Sequence, residues 1–418
     1  MTHPTMAFLL LSCFIPAIVN AFSLDEKVAL AVETFNVNKA SCSVNEALID
    51  SNLIALGKTI FDSKVLSGDK DVSCSTCHLD NKSLTDGLSL AIGVGGKGEG
   101  AERLNSDGII VPRNTFTLFG RANTKFQTFF WDGRIQNIGK QIVSPIGEGF
   151  SKGFNSALAV AAAMPIIARD EFLGVMKMFN NNENIHKVED SYYQEKIPAI
   201  EEVIKNRLSN DKQKDTLNLV KEFNQAGYEI NDVSLSLIGN ALASFIATKV
   251  KDDCTESNWD KYLSGSLSSI TTEQKEGALL FYGKGRCAGC HNGSLFSDMA
   301  FHSIGIPQGE FGTHLGGSDI GRAQVTFNQT DRYKFRTPPL IKVKHTDPYG
   351  HNGAFNSLED IVLFHLNPMP FLIDNNTTND RYQFSYGRLL ASRSPILQYI
   401  EIEDNTEFKA LIEFIKTL

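Results

Sequence analysis

Cys287-Ala288-Gly289-Cys290-His291 decides how this chain is read, together with an earlier counterpart, Cys74-Ser75-Thr76-Cys77-His78. Cys-x-x-Cys-His is the attachment signature of c-type haem. The two cysteines form thioethers to the vinyl groups, and the adjacent histidine reaches the iron as proximal ligand. A thiol redox pair or a zinc site also uses Cys-x-x-Cys, but neither explains a histidine directly after both copies. The pentapeptides take four of the chain's seven cysteines. They predict two covalent haems, held by Cys74, Cys77 and His78 and by Cys287, Cys290 and His291.

Both copies share a preface. Ser43-Val44-Asn45-Glu46 reads as a capping box opening a helix over 44–61, which ends in Gly57-Lys58-Thr59-Ile60-Phe61. Thr271-Thr272-Glu273-Gln274 caps a helix ending in Gly277-Ala278-Leu279-Leu280-Phe281. The haem histidines lie 213 positions apart, so two related lobes with separate cores are expected. Helix suits such lobes, because an apolar helix face must cover the porphyrin. Further helices are predicted over 157–164, 172–179, 201–223, 234–249 and 406–418. Residues 86–113, with glycines at 93, 95, 96, 98 and 100, read as a long loop beside the first haem. No strand–turn–helix context makes them a phosphate loop. The fold class is mainly α with long functional loops.

The 418 residues suit two or three domains, and 42% hydrophobic content supports real cores. A net charge of −8 argues against nucleic acid and favours a basic partner such as a small electron carrier. Ala7 to Val19 is a short apolar run before Val19-Asn20-Ala21, which predicts a cleaved export signal over 1–21 and a periplasmic protein. The run is too short for a membrane span, and nothing later reads as one. A lipid anchor at Cys13 is the alternative. Cys42 and Cys254 remain, as one disulfide in an oxidising compartment or as two buried thiols.

Ser357-Leu358-Glu359-Asp360 opens one more capped helix, with Leu358, Ile361, Val362 and His365 on one face. A lone histidine there is ordinarily a hydrogen-bonded core residue.

Taken with Pro112-Arg113-Asn114, Phe130-Trp131-Asp132-Gly133-Arg134, Tyr333-Lys334-Phe335-Arg336 and Thr346-Asp347-Pro348-Tyr349-Gly350-His351-Asn352-Gly353, the two haem motifs resemble the bacterial di-haem cytochrome c peroxidase superfamily, which includes the MauG-type enzymes. The resemblance covers roughly residues 50–150 and 235–417. It implies two cytochrome-c-like haem lobes, here 22–235 and 236–418, with an insertion over about 150–235. It also implies calcium between the lobes, on Asn114, Thr346 and Pro348, whose oxygens suit that hard cation.

In the family the C-terminal haem takes a Met or Tyr sixth ligand fourteen positions after the motif histidine. Counting from His351 gives His365; His302 and His314 are the competitors. A bis-histidine iron lies at lower potential than a His/Met one. No histidine occurs between His78 and His186, so the N-terminal haem is expected to keep an open face for peroxide. Trp131 matches the inter-haem relay, and Glu148 is the nearest candidate for the distal proton carrier. The resemblance implies an enzyme reducing hydrogen peroxide to water with electrons from a small donor such as a c-type cytochrome or cupredoxin. The alternatives are a MauG-like oxidation of residues in a protein substrate and a plain electron carrier. The MauG branch has a surface tryptophan where this chain has Gly285, and the only other tryptophan is Trp259.

Overall fold

The computed structural model describes residues 22–39, 42–147, 152–174, 193–308, 318–373 and 380–418. Helices dominate: α1 Leu24–Thr34, α2 Ile54–Asp62, α3 Ala157–Ala163, α4 Tyr193–Asn210, α5 Lys214–Gln225, α6 Leu235–Asp252, α7 Thr272–Tyr282, α8 Leu358–Leu366 and α9 Asn405–Ile415. Two small antiparallel sheets join them. One is β1 Thr128–Phe129, β2 Ile135–Ile138 and β3 Gln141–Val143; the other is β4 Phe301–His302 and β5 Phe335–Arg336, with Phe301 opposite Arg336.

The repeated glycine before each haem motif has a packing cause. A Cβ on Gly57 would lie 2.0 Å from the Ala241 carbonyl oxygen and 2.8 Å from Phe245 Cβ. On Gly277 it would lie 1.9 Å from the Ala410 carbonyl oxygen and 2.8 Å from Phe414 Cβ. Thus α2 crosses α6, and α7 crosses α9, backbone to backbone at a glycine. In each pair the partner helix offers Ala-x-x-x-Phe. The two lobes repeat one helix crossing as well as one cofactor motif. Gly277→Ala is expected to cost about 3 kcal/mol, because the obstructing atom is backbone and cannot rotate away. Denaturant unfolding of the holoprotein checks this; a midpoint like that of the native protein would refute the close crossing.

The buried apolar residues form two main clusters. The first gathers Leu56, Ile60, Phe223, Ile238, Leu242 and Ile246; the second gathers Trp259, Phe281, Leu411 and Phe414. Helix α6 packs within the first cluster, as do Leu295 and Ile341 from later in the chain, whereas the expected division at 235/236 assigns all three to the second lobe. Val28 of α1 joins the second cluster despite its place in the chain. A helix packs where its apolar stripe finds a complementary face, which chain order does not specify.

Other boundaries also move. The capping box at 43–46 opens only a 3₁₀ turn, Glu46–Leu48, capped by Asn45, and α2 begins later. The Asp50 N–H is taken by Ser244 Oγ at 3.1 Å, which pulls the chain out of helix there. The single helix predicted over 201–223 breaks into α4 and α5. Asp211 accepts from the Gln213 N–H (3.0 Å), the Thr216 hydroxyl (2.9 Å) and Lys70 (2.5 Å), fixing a corner. In place of a helix from 172, Arg169–Leu173 forms one π-turn; residues 175–179 lie outside the described residues. Cys42 and Cys254 form a disulfide between the chain before α2 and the chain after α6. Among the described residues no helix is long and apolar enough to cross a membrane. The export signal, Cys13 and its lipid alternative lie outside them.

Candidate functional site

The first cavity is lined by Phe61, Cys74, Cys77, His78, Gly93, Arg134, Leu158, Ala162 and Glu171, among others. Cys74–Cys77 form one helical turn, closed by Ser73 and Thr76, and His78 follows at its end. His78 Nδ1 sits 2.8 Å from the Leu84 carbonyl. A carbonyl only accepts, so Nδ1 carries the proton and Nε2 keeps its lone pair. Burial lowers the His78 pKa to about 4, so the ring is neutral. Burial also raises the Cys74 thiol to about 12 and shifts Cys77 upward. These are poor metal thiolates, and paired thiols beside a neutral imidazole are the donor set of a c-type haem.

The second cavity repeats this arrangement with Cys287, Cys290 and His291 on its wall. His291 Nδ1 lies 3.0 Å from the Phe296 carbonyl, again freeing Nε2. His365 lines the same cavity from α8, whose N-terminus Ser357 caps. Its Nδ1 lies 2.7 Å from the Ile361 carbonyl, and burial lowers its pKa to about 4. His302 also lines the cavity, but Asp298 engages its Nε2 at 2.8 Å and Ser394 Oγ faces its Nδ1 at 3.4 Å. Of these two competitors only His365 offers a free nitrogen. His314 lies outside the described residues.

Trp131, Asn114, Thr115, Phe116 and Arg121 line both cavities and form the wall between them. Buried Trp131 donates from Nε1 to the Asn114 carbonyl at 3.0 Å, and the Asn114 N–H donates to the His351 carbonyl at 2.8 Å. The Arg336 N–H donates to the Trp131 carbonyl at 2.8 Å. Arg113 donates to Asp132 (2.6 Å) and, through two nitrogens, to Asp319 (2.7 and 2.9 Å). Segments from both lobes thus hold the indole by hydrogen bonds and a buried ion network. Asn114, Thr346 and Pro348 meet on the second cavity's wall. Asn114 Nδ2 donates to the Leu88 carbonyl at 2.9 Å, which leaves Oδ1 as the free end of the amide.

Glu148 lies outside the described residues. Glu171, which the motifs do not single out, is the one carboxylic acid among the described residues of the first cavity. The glycine-rich loop places it there. A Cβ on Gly93 would lie 1.8 Å from the Asp170 carbonyl oxygen, and the Val94 N–H donates to the Glu171 carbonyl at 3.1 Å. Burial raises the Glu171 pKa to about 7, with neighbouring Asp170 adding to the rise and Arg134 opposing it. Among the described lining residues the first cavity has no second histidine and no methionine. Trp259 is buried, stacked at 5.3 Å on Tyr262. Gly285 is buried too, with the Leu280 carbonyl oxygen 2.6 Å from where a Cβ would stand.

Comparison with known proteins agrees with this geometry. The sequence profile for the di-haem cytochrome c peroxidase family matches residues 51–268. Cytochrome-c peroxidase IdrP2 of Denitromonas iodatirespirans is 25% identical over 338 residues, covering 76% of this chain and 74% of that one. Methylamine utilization protein MauG of Methylorubrum extorquens is 28% identical over 312 residues, covering 74% and 67%. The fold resembles the crystal structure of the diheme peroxidase BthA from Burkholderia thailandensis, with TM-score 0.60, 18% identity, and 91% of this chain and 89% of that one covered. The chain therefore belongs to the di-haem cytochrome c peroxidase family, oxidoreductases that carry two c-type haems.

Proposed function

We propose that the protein is a periplasmic peroxidase in which hydrogen peroxide is reduced at the first haem and electrons enter through the second. The observation that carries this reading is the inequality of the cavities. The second offers two neutral imidazoles, His291 and His365, each with Nε2 free. The first offers His78 alone among its described residues. Two axial ligands suit electron transfer, and a vacant position suits an incoming oxidant.

When bound, the first haem supplies the redox chemistry that splits the peroxide O–O bond. The chain's own residues provide the rest. His78 fixes the proximal side. Glu171, with a carboxyl near neutral pKa, takes the proton from one peroxide oxygen and returns it to the departing one. Trp131 fills the wall between the haems and shortens each electron hop. The balance is two electrons and two protons consumed for each peroxide converted to two waters. Asn114 Oδ1, with the Thr346 and Pro348 carbonyls, would hold calcium at the lobe junction, where oxygen donors suit it. The electron donor in this reading is a small basic carrier protein.

A MauG-like oxidation of a protein substrate is the second reading, because an open first haem serves it equally. The buried turn at Gly285 has no room for a surface tryptophan, which favours the peroxidase. Ferric absorption and resonance spectra should show one high-spin and one low-spin haem. Peroxide should then be turned over with a reduced small cytochrome as donor. Two low-spin haems would remove the open site. No turnover with any small donor, alongside oxidation of a protein substrate, would favour the second reading.

A further inference from the structure

Among the described residues the other buried arginines are matched to acceptors. Arg113 has Asp132 and Asp319. Arg103 donates to the carbonyls of Ile92, Gly93 and Gly98, and Arg207 to those of Val65, Ser67 and Gly68. Arg121 and Arg336 differ. Arg121, 3% exposed, donates from Nε to the Thr117 carbonyl at 3.0 Å, and its Nη1 has no partner. Arg336, 1% exposed, donates to the Phe130 and Thr337 carbonyls at 3.1 and 2.9 Å, and its Nη2 has no partner. Both guanidiniums lie against Phe126, at 4.5 and 5.1 Å from its ring centre. Among the described residues no carboxylate pairs with either; burial disfavours the charge on both, and Arg336 adds to the effect on Arg121.

Two like charges buried side by side without counter-ions are costly, by several kcal/mol per ion even after relaxation. Such a pair persists when something outside the polypeptide supplies negative charge. Both side chains line cofactor cavities. Arg336 lines the one with His291 and His365. Arg121 lines both, and its charge helps keep His78 unprotonated. The anionic substituents of haem are its two propionates, and guanidinium–carboxylate pairs are short, charge-assisted and geometrically matched.

We propose that Arg121 and Arg336 are the haem carboxylate anchors, Arg121 for a propionate of the His78 haem and Arg336 for one of the His291 haem, each through its unpartnered terminal nitrogen. Both then stand at the junction that Trp131 occupies, so that each haem is held by its charged edge as well as by thioethers. The pairing depends on haem occupancy and not on the direction of electron flow, so it applies to either catalytic reading.

The test is resonance Raman spectroscopy and redox titration of the haem-loaded full chain. In Arg336→Gln the propionate-bending band should shift down, and the midpoint potential of the His291 haem should fall, because its carboxylate loses a counter-charge. Arg336→Lys should restore most of the potential. Arg121→Gln should do the same to the His78 haem. Arg121 makes a single backbone bond, so its variant carries the test if Arg336→Gln does not mature. Unshifted propionate bands in both glutamine variants, or in Arg121→Gln where it alone matures, would overturn the pairing whatever the peroxidase activity does.

Discussion

Replacing His365 with alanine is expected to turn the second haem from low spin to high spin and to lower peroxide turnover at least tenfold. His365 stands on the wall of the cavity that holds His291, and its Nδ1–H is fixed 2.7 Å from the Ile361 carbonyl. That hydrogen bond sets the tautomer and aims the Nε2 lone pair away from its own helix. Its pKa, lowered by burial to about 4, keeps the ring neutral and able to ligate across ordinary pH. On the proposed ligation alanine removes one of two strong-field ligands, and the iron must change spin or take water. Methionine at the same position should restore low spin and raise the midpoint potential, since a thioether favours the reduced iron. The ferric absorption spectrum reads both effects. A spectrum that alanine leaves unchanged would assign the sixth ligand elsewhere and remove the inequality of the two haems.

The second large effect is expected at Glu171. Glu171→Gln should lower peroxide turnover by about 10²-fold or more, the usual contribution of a positioned proton carrier. The pH profile separates this from a packing defect. The acid must be ionised to accept the peroxide proton, so the native rate should fall as pH drops through about 7. That limb should be absent in the glutamine variant. Stability has the opposite sense. A carboxyl whose folded pKa is raised favours the folded state while protonated, and loses that contribution as pH rises through about 7. Glutamine, which never ionises, should therefore gain stability relative to the native residue above that pH. A glutamine variant with full activity and an unchanged pH limb would return the role to another group, Glu148 first among them.

Covalent chemistry was legible in the sequence because it is local. Cys-x-x-Cys-His needs its five residues in one turn, and no tertiary contact is required to recognise it. The glycines before each motif were also visible, although their partners at Ala241 and Ala410 were not. Counting fourteen from His351 crosses a short turn and then the capped helix α8, and the fold puts His365 on the second cavity's wall. The sequence alone leaves the disulfide open, since two leftover cysteines do not show whether their Cα atoms approach to the observed 5.4 Å.

Tertiary structure alone decided the rest. Helix α6 joined the first core, because burial follows complementary faces and not order along the chain. Glu171 became a cavity residue because a loop some 80 positions earlier packs its glycine against Asp170. Arg121 stands in no motif and Arg336 only as the end of Tyr333-Lys334-Phe335-Arg336; folding encloses both without a carboxylate partner among the described residues. Sequence names the groups that react through bonds to near neighbours; the field in which a charge sits depends on what the whole chain places around it, and only the folded molecule sets that.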